Sequence, residues 1–367
     1  MDSNDHLPEP IFIGGSARSG THAMGQLIAA DPHYHLIPLE VRIHAAGSGL
    51  PDLLAGRASM DKFLRRVRGF WWERGARNHR GLKLIVERDE LDAALDEFQA
   101  AFDADRLGAS GRLVRRLLDP VADRAGKPYW AEVSGRNIGS SPTIHQLFPQ
   151  AKFVHMFRDG RSVAASIVNK DSMTTDPMIA LRHWNRRVRA ADAAVRDVPS
   201  EKVLFMRLDD LTALDRDASF ERLTRFIGVD DDGPMRAYFD AQVSSEAAHV
   251  GKWRERLPED DARRIERVYG RVLRDLHRDG ITWVPSPEEA GLPGRVWNPV
   301  PASWTLAKKR PEVVRSAIRM RARRVVPARL RRSAVARFAR SGVRRGASLA
   351  RPVAARVRRR AGREPAS

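Results

Sequence analysis

The chain has 367 residues, 42% of them apolar, with a formal net charge of +19. That length buries a substantial core, and the absence of cysteine excludes a disulfide framework and gives no tie to an oxidising compartment. No run approaches the roughly 20 apolar residues that span a bilayer, and the polar, acidic start Met1-Asp-Ser-Asn-Asp-His6 lacks the basic and apolar regions of a signal peptide, so a cytoplasmic location is expected.

Residues 11–13 are an apolar run short enough for a buried parallel strand. They lead into a turn freed by Gly14, Gly15 and Gly20, and from Thr21 onward Met24, Leu27 and Ile28 recur at helical spacing. A strand, a glycine turn and a helix start, in that order, aim backbone N–H groups and the helix dipole at an anion. Gly15 and Gly20 have P-loop spacing. Thr21-His22, however, stand where a P-loop kinase carries Lys and a Mg²⁺-binding hydroxyl. The cation is instead Arg18, inside the loop. Ser16, Ala17, Arg18, Ser19, Gly20, Thr21 and His22 thus form a candidate cradle for an anionic donor handled without a metal. A P-loop small-molecule kinase is the competing reading.

After an Asp31-Pro32 helix stop, His33 and His35 flank Tyr34 with no other ligand at metal spacing, so they are read as surface histidines in a loop. Glu40, in Pro38-Leu-Glu-Val-Arg42, is either a general base or a carboxylate simply paired with Arg42. His22 and His44 are the alternative bases. Apolar spacing predicts helices over 89–102 and 113–121, and Trp71, Trp72 and Trp130 either line a pocket beside them or belong to the core. Residues 152–157 predict a second buried strand ending in Arg158. A turn at Asp159-Gly160 and a helix over 161–169 follow, with Ser166 two turns in. A guanidinium fork and a hydroxyl so placed offer a phosphate dianion several donors. A helix over 176–195 should turn Trp184 inward. Residues 206–211, Met-Arg-Leu-Asp-Asp-Leu, end a further strand, and residues 249–254 contain Gly251, Lys252 and Trp253.

From residue 11 to about 280 these segments resemble, in order, the sulfotransferases that use 3′-phosphoadenosine 5′-phosphosulfate (PAPS). Arg18-Ser-Gly-Thr21 resembles the family's 5′-phosphosulfate loop, and residues 151–166, with Arg158 and Ser166, its 3′-phosphate motif. Gly251-Lys252-Trp253 is similar to an element of the bacterial and Golgi-type branch that closes over the nucleotide. There Lys252 would neutralise phosphate and Trp253 would stack or pack near the adenine. Leu208 and Asp209 replace the Tyr and Glu of the family's YEDL segment. Glu40-Val-Arg42, with one inserted residue, resembles the catalytic Glu-x-Arg of tyrosylprotein-type enzymes, in which the glutamate accepts the proton. The resemblance implies an α/β fold with a mostly parallel central sheet flanked by helices. It implies transfer of a sulfuryl group from PAPS to a hydroxyl acceptor, with Arg18 at the leaving-group bridge, Glu40 as base and no metal. A carbohydrate or glycolipid acceptor is favoured. One departure is plain: where relatives often carry Glu-Lys-Thr-Pro, this chain has Glu132-Val-Ser-Gly135, so the lysine is Val133 and its cation falls to Arg136 or to Arg18 alone.

Residues 1–307 hold 44 basic and 44 acidic side chains, whereas 308–367 hold 21 and 2, so the net charge resides in the tail. The organisation expected is a catalytic domain over 1–284, a Pro/Gly-rich linker over 285–307 and an Arg-rich tail over 308–367 that is helical or disordered. Arginines interleaved with apolar residues favour an anionic membrane surface as the tail's partner, at the inner face of the membrane. Nucleic acid is the less favoured partner, and a tail with no partner stays open. A non-catalytic polyanion-binding protein acting through the tail is the remaining alternative.

Overall fold

The computed structural model describes residues 10–74, 81–170, 174–229 and 231–291. All of the described residues belong to one compact unit. The tail over 308–367, with the partners expected for it, and residues 292–307 of the expected linker lie outside the described residues.

Five strands form one sheet: β1 (Ile11–Gly15), β2 (Tyr34–Leu36), β3 (Tyr129–Val133), β4 (Lys152–Phe157) and β5 (Val203–Arg207), in the order β2-β3-β1-β4-β5. Every pairing is parallel. Parallel strands are covered on both faces and so read as continuous apolar runs. In β1, Phe12 faces one core while Ile11 and Ile13 face another, all three fully buried. His35 lies within β2, so the loop expected around Tyr34 is a short edge strand paired to β3; His33 stays exposed.

Helix α1 (Thr21–Ala29) follows β1. A helical insertion separates β2 from β3: α2 (Leu50–Leu54), α3 (Met60–Arg65), α4 (Arg88–Phe102) and α5 (Arg106–Arg124). Next come α6 (Ser141–Leu147) before β4, and α7 (Gly160–Lys170) and α8 (Pro177–Val195) between β4 and β5. After β5 come α9 (Arg216–Ile227), α10 (Gly233–Gln242), α11 (Ser245–Ala248) and α12 (Glu259–Arg278). In α4 the residues at helical spacing, Leu91, Ala94, Leu95, Phe98 and Phe102, are the buried ones. A capping box between Glu87 and Glu90 starts that helix. They join α5, Phe12, Trp71 and Trp130 in a single apolar cluster. Trp71 and Trp130 are therefore core residues, with the Trp130 indole N–H donating to Asp119 at 2.8 Å, and Trp72 packs against the same cluster beneath Arg88. A third cluster joins α7, α8 and α12 around Trp184 and Tyr269 and includes Ala290, so the packed body runs past residue 284.

Because β1 lies between β3 and β4, the chain leaves it toward one sheet edge and later returns on the other side. Loops at the carboxyl ends of the strands therefore face one crevice, the usual ligand site of an open parallel sheet. At Gly15 β1 lies close against β4. A Cβ there would sit 2.0 Å from the Met156 carbonyl oxygen, so only glycine lets β1 meet β4 at this point.

His155, on β4, is enclosed by Phe157, Phe205 and Trp283. Burial lowers its pKa from 6.5 to about 3, partly opposed by Asp192. The unfolded chain takes up this proton near pH 6.5 and the folded chain only near 3, so stability present above pH 6.5 is lost as pH falls toward 3. This one residue should make the fold about 2 kcal/mol less stable at pH 5 than at pH 7. Urea unfolding at both values should show that part of the difference vanish in His155→Leu; an unchanged pH slope would refute it.

Candidate active site

The loop from Ser16 to Gly20 joins β1 to α1. Ser19, fully buried, fastens it: its hydroxyl donates to the Ser16 carbonyl at 2.6 Å and lies 3.0 Å from that of Met156. Arg18 (φ 67°) and Gly20 (φ 85°) are both left-handed, the turn that brings successive N–H groups round to one side. Leu208 lies against Gly20, where a Cβ would come within 2.6 Å of its side chain. At its N-terminus α1 has neither a capping side chain nor an acidic residue, so the first-turn N–H groups of Thr21, His22 and Ala23 are left for an external anion.

Arg18 does not point away from the second motif. Its Nε donates to Ser166 Oγ at 3.1 Å, joining residues from α7 and the β1 loop in one site. Arg158, at the tip of β4, is buried. Its Nη2 donates to the carbonyls of Ala248 and His249, the latter at 3.1 Å. Nε sits 3.8 Å from Asp209 and, buried, makes no hydrogen bond. Burial pulls the Arg158 pKa down, Asp209 and Asp159 pull it up, and the charges of Arg256 and Arg18 lower it further. Asp209's own pKa is raised by burial, with Arg158 opposing. Arg207 Nε also lies 3.5 Å from Asp209, so the guanidiniums of Arg18, Arg158, Arg207 and Arg256 share the field of Asp159 and Asp209. Asp159 is spent locally: it accepts the Arg161 and Ser162 N–H groups that start α7 and pairs with the Arg161 side chain at 2.7 Å.

Glu40 lies after β2, half-buried, with its Oε2 3.4 Å from Arg42 Nη2. Its loop is held by Glu132, which is fully buried at the end of β3. Glu132 Oε1 accepts the Val41 N–H at 2.8 Å and Oε2 accepts Asn137 Nδ2 at 2.6 Å. Asn137 also donates to the Ile13 carbonyl at 3.0 Å, and His44 Nε2 closes the network, 3.2 Å from both Glu132 and Asn137. His44 has no exposed surface, so it is a strut, unsuited to the role of alternative base. His22 is exposed on the first turn of α1.

The crevice thus gathers Arg18, Ser166 and Arg158, with Glu40 on the loop beyond β2. Trp253 goes to the core of α7, α8 and α12, with the Arg161 and Arg254 guanidiniums 4.9 and 5.2 Å from its ring. Gly251 makes a left-handed turn and Lys252 is exposed. Sequence reasoning missed Asp209 as the support of Arg158, Glu132 as the anchor of the Glu40 loop, and Arg187 of α8. Glu132 and Asp209 stood in segments already singled out, and Arg187 lies in the helix expected over 176–195, but none was given these contacts. Among the described residues no group of three or more His, Asp or Glu side chains is arranged to hold a metal ion.

A model of the sulfotransferase family matches residues 10–233. The protein-tyrosine sulfotransferase of Drosophila melanogaster is 22% identical over 224 residues, covering 60% of this chain and 38% of that one. Protein-tyrosine sulfotransferase 2 of Gallus gallus is 26% identical over 226 residues, covering 60% and 51%. A mouse sulfotransferase solved in complex with PAP aligns over 76% of this chain and 90% of its own, at 15% identity and a TM-score of 0.41. The chain spans between 38% and 65% of the length of the curated relatives it matches.

Removing the Glu132 carboxylate strands the Val41 N–H and the Asn137 amide in a dry interior. Glu132→Ala should cost about 3 kcal/mol in urea unfolding, with Glu132→Gln, which keeps the shape but loses an acceptor, falling between. A loss no larger than that of an exposed site would show that the network does not anchor the loop.

Proposed function

The chain belongs to the sulfotransferase family, and within it we propose that this protein transfers a sulfuryl group from PAPS to a hydroxyl, with the tyrosyl side chain of a protein as acceptor. The observation that carries the proposal is the 3.1 Å bond from Arg18 Nε to Ser166 Oγ. It merges two anion-binding segments, far apart in sequence, into one site able to hold both ends of a doubly phosphorylated nucleotide.

The residues present fit that donor. The uncapped start of α1 and the Arg18 guanidinium suit a 5′-phosphosulfate, while Arg158 Nε, buried without an acceptor, suits a 3′-phosphate. The donor supplies the group that moves: its sulfur–oxygen bond to the 5′-phosphate breaks with the electron pair left on phosphate, as the acceptor oxygen bonds to sulfur. Glu40 takes the acceptor's proton, and Arg42 orients that carboxylate. Arg18 and the N–H groups of the loop offset charge building on the leaving phosphate. Arg158 and Ser166 hold the far end of the nucleotide and so fix the reacting geometry. The sequence relatives, named as protein-tyrosine sulfotransferases, support a tyrosyl hydroxyl over the carbohydrate or glycolipid first expected. A phenol, with a pKa near 10, is also the easier hydroxyl for a carboxylate to deprotonate.

Calorimetry with adenosine 3′,5′-bisphosphate, against ATP with Mg²⁺, tests the donor: tight bisphosphate binding is expected, and affinity for ATP alone would overturn the proposal. Sulfation of a tyrosine-containing peptide, run beside a sugar acceptor, tests the acceptor. In that assay Glu40→Gln should lower turnover about 10²- to 10⁴-fold and leave bisphosphate binding unchanged. Turnover near that of the unaltered protein would remove Glu40 from the base role.

A further inference from the structure

Helix α8 buries Leu181, Trp184, Val188 and Ala191, an apolar stripe at helical spacing. Arg187 sits at the edge of that stripe, three residues after Trp184 and four before Ala191. Its Nε is buried and without a hydrogen-bond partner, and among the described residues the side chain makes no ion pair. Burial lowers its pKa, the charge of Arg136 lowers it further, and Glu40 opposes. A buried, unpaired guanidinium is costly unless an anion meets it.

Its place is marked by Gly135. A Cβ built on Gly135 would lie 3.8 Å from Arg187 Nη2 and 3.5 Å from the carbonyl oxygen of Gly15, the residue that opens the cradle. The guanidinium therefore reaches the turn after β3 that abuts the mouth of the loop, in the field of Glu40. β3 offers no cation there: Val133 turns into the apolar cluster beneath α1, where it lies against Gly25. Arg136, the replacement considered from sequence, is exposed, whereas Arg187 is mostly covered.

We propose that Arg187 is the cation that meets the sulfonate of the donor, doing from α8 what a lysine at position 133 does elsewhere in the family. The assignment rests on the PAPS reading above. Arg187 then contacts the group that moves, and it has no partner in a bisphosphate that lacks the sulfonate. Arg187 also lies in the field of Glu40, so its charge would offset repulsion between the base and the anionic donor.

The test is calorimetry on the full chain with PAPS and with adenosine 3′,5′-bisphosphate, for the unaltered protein, Arg187→Met, Arg187→Lys and, as a control, Arg186→Gln on the exposed side of α8. Methionine removes the charge while keeping the packing. It should weaken PAPS binding about tenfold or more, leave bisphosphate binding unchanged and keep the melting temperature level or higher. Lysine should restore part of the preference for PAPS, and Arg186→Gln should match the unaltered protein. Equal weakening of both nucleotides, no weakening of either, or a like loss in Arg186→Gln would each overturn the assignment while leaving the sulfotransferase reading intact. Failure of the unaltered protein to bind the bisphosphate would overturn that reading and this assignment together.

Discussion

A carboxylate with no exposed surface, that of Glu132, is the tie on which the site depends. It holds the loop after β2 through Val41 N–H and the turn after β3 through Asn137, which reaches on to the Ile13 carbonyl of β1. A buried carboxylate persists only when its oxygens are hydrogen-bonded. Each of these loops is therefore held to one position. Glu40 is a single residue from the pinned N–H, so its distance from the cradle follows from packing inside the sheet, whatever surface contacts it makes. His44 serves the same network.

Around that frame the site is built to be short of negative charge. Arg158 and Asp209 are both buried, and burial drives each toward its neutral form while the other drives it back. Their 3.8 Å contact leaves Arg158 Nε without an acceptor, and nearby Arg18 and Arg256 add more positive charge. Buried ion pairs of this kind are commonly no more stabilising than apolar residues of the same size. What an incompletely paired guanidinium does supply is a preformed attraction for an anion, in a setting where such attraction is strong.

Much of the fold could be read before any coordinates because its signals are contiguous. Strand, glycine turn and helix succeed one another within residues 11–29 and again within 152–170, and each step has a local cause: buried apolar runs, backbone freedom at Gly20, and the Asp159 cap. The helices of the insertion were legible for the same reason, since the stripe Leu91, Ala94, Leu95, Phe98 and Phe102 states both the period and the buried face. Less was legible where one residue type serves two ends. Trp253 looks alike as a stacking platform or a core ring, and β2, three residues long, has no pattern to separate it from a loop. Asp209 stands out only as a replacement within its segment and Arg187 not at all, because an acid after a strand and an arginine on a helix are ordinary until their neighbours are known.

The order of residues along the chain was enough to specify two anion-binding turns, an α/β class and a candidate carboxylate, since all three depend on interactions within about two turns of helix or one strand. Whether the turns cooperate was decided in three dimensions. Arg18 and Ser166 are 148 residues apart and meet only because β1 is inserted between β3 and β4, with both carboxyl ends on one side. Strand order reflects the burial of two whole faces of the sheet, a sum over many distant contacts that no short window of sequence contains. The same sum turns Arg187 toward Gly135 and closes Glu132 away from water.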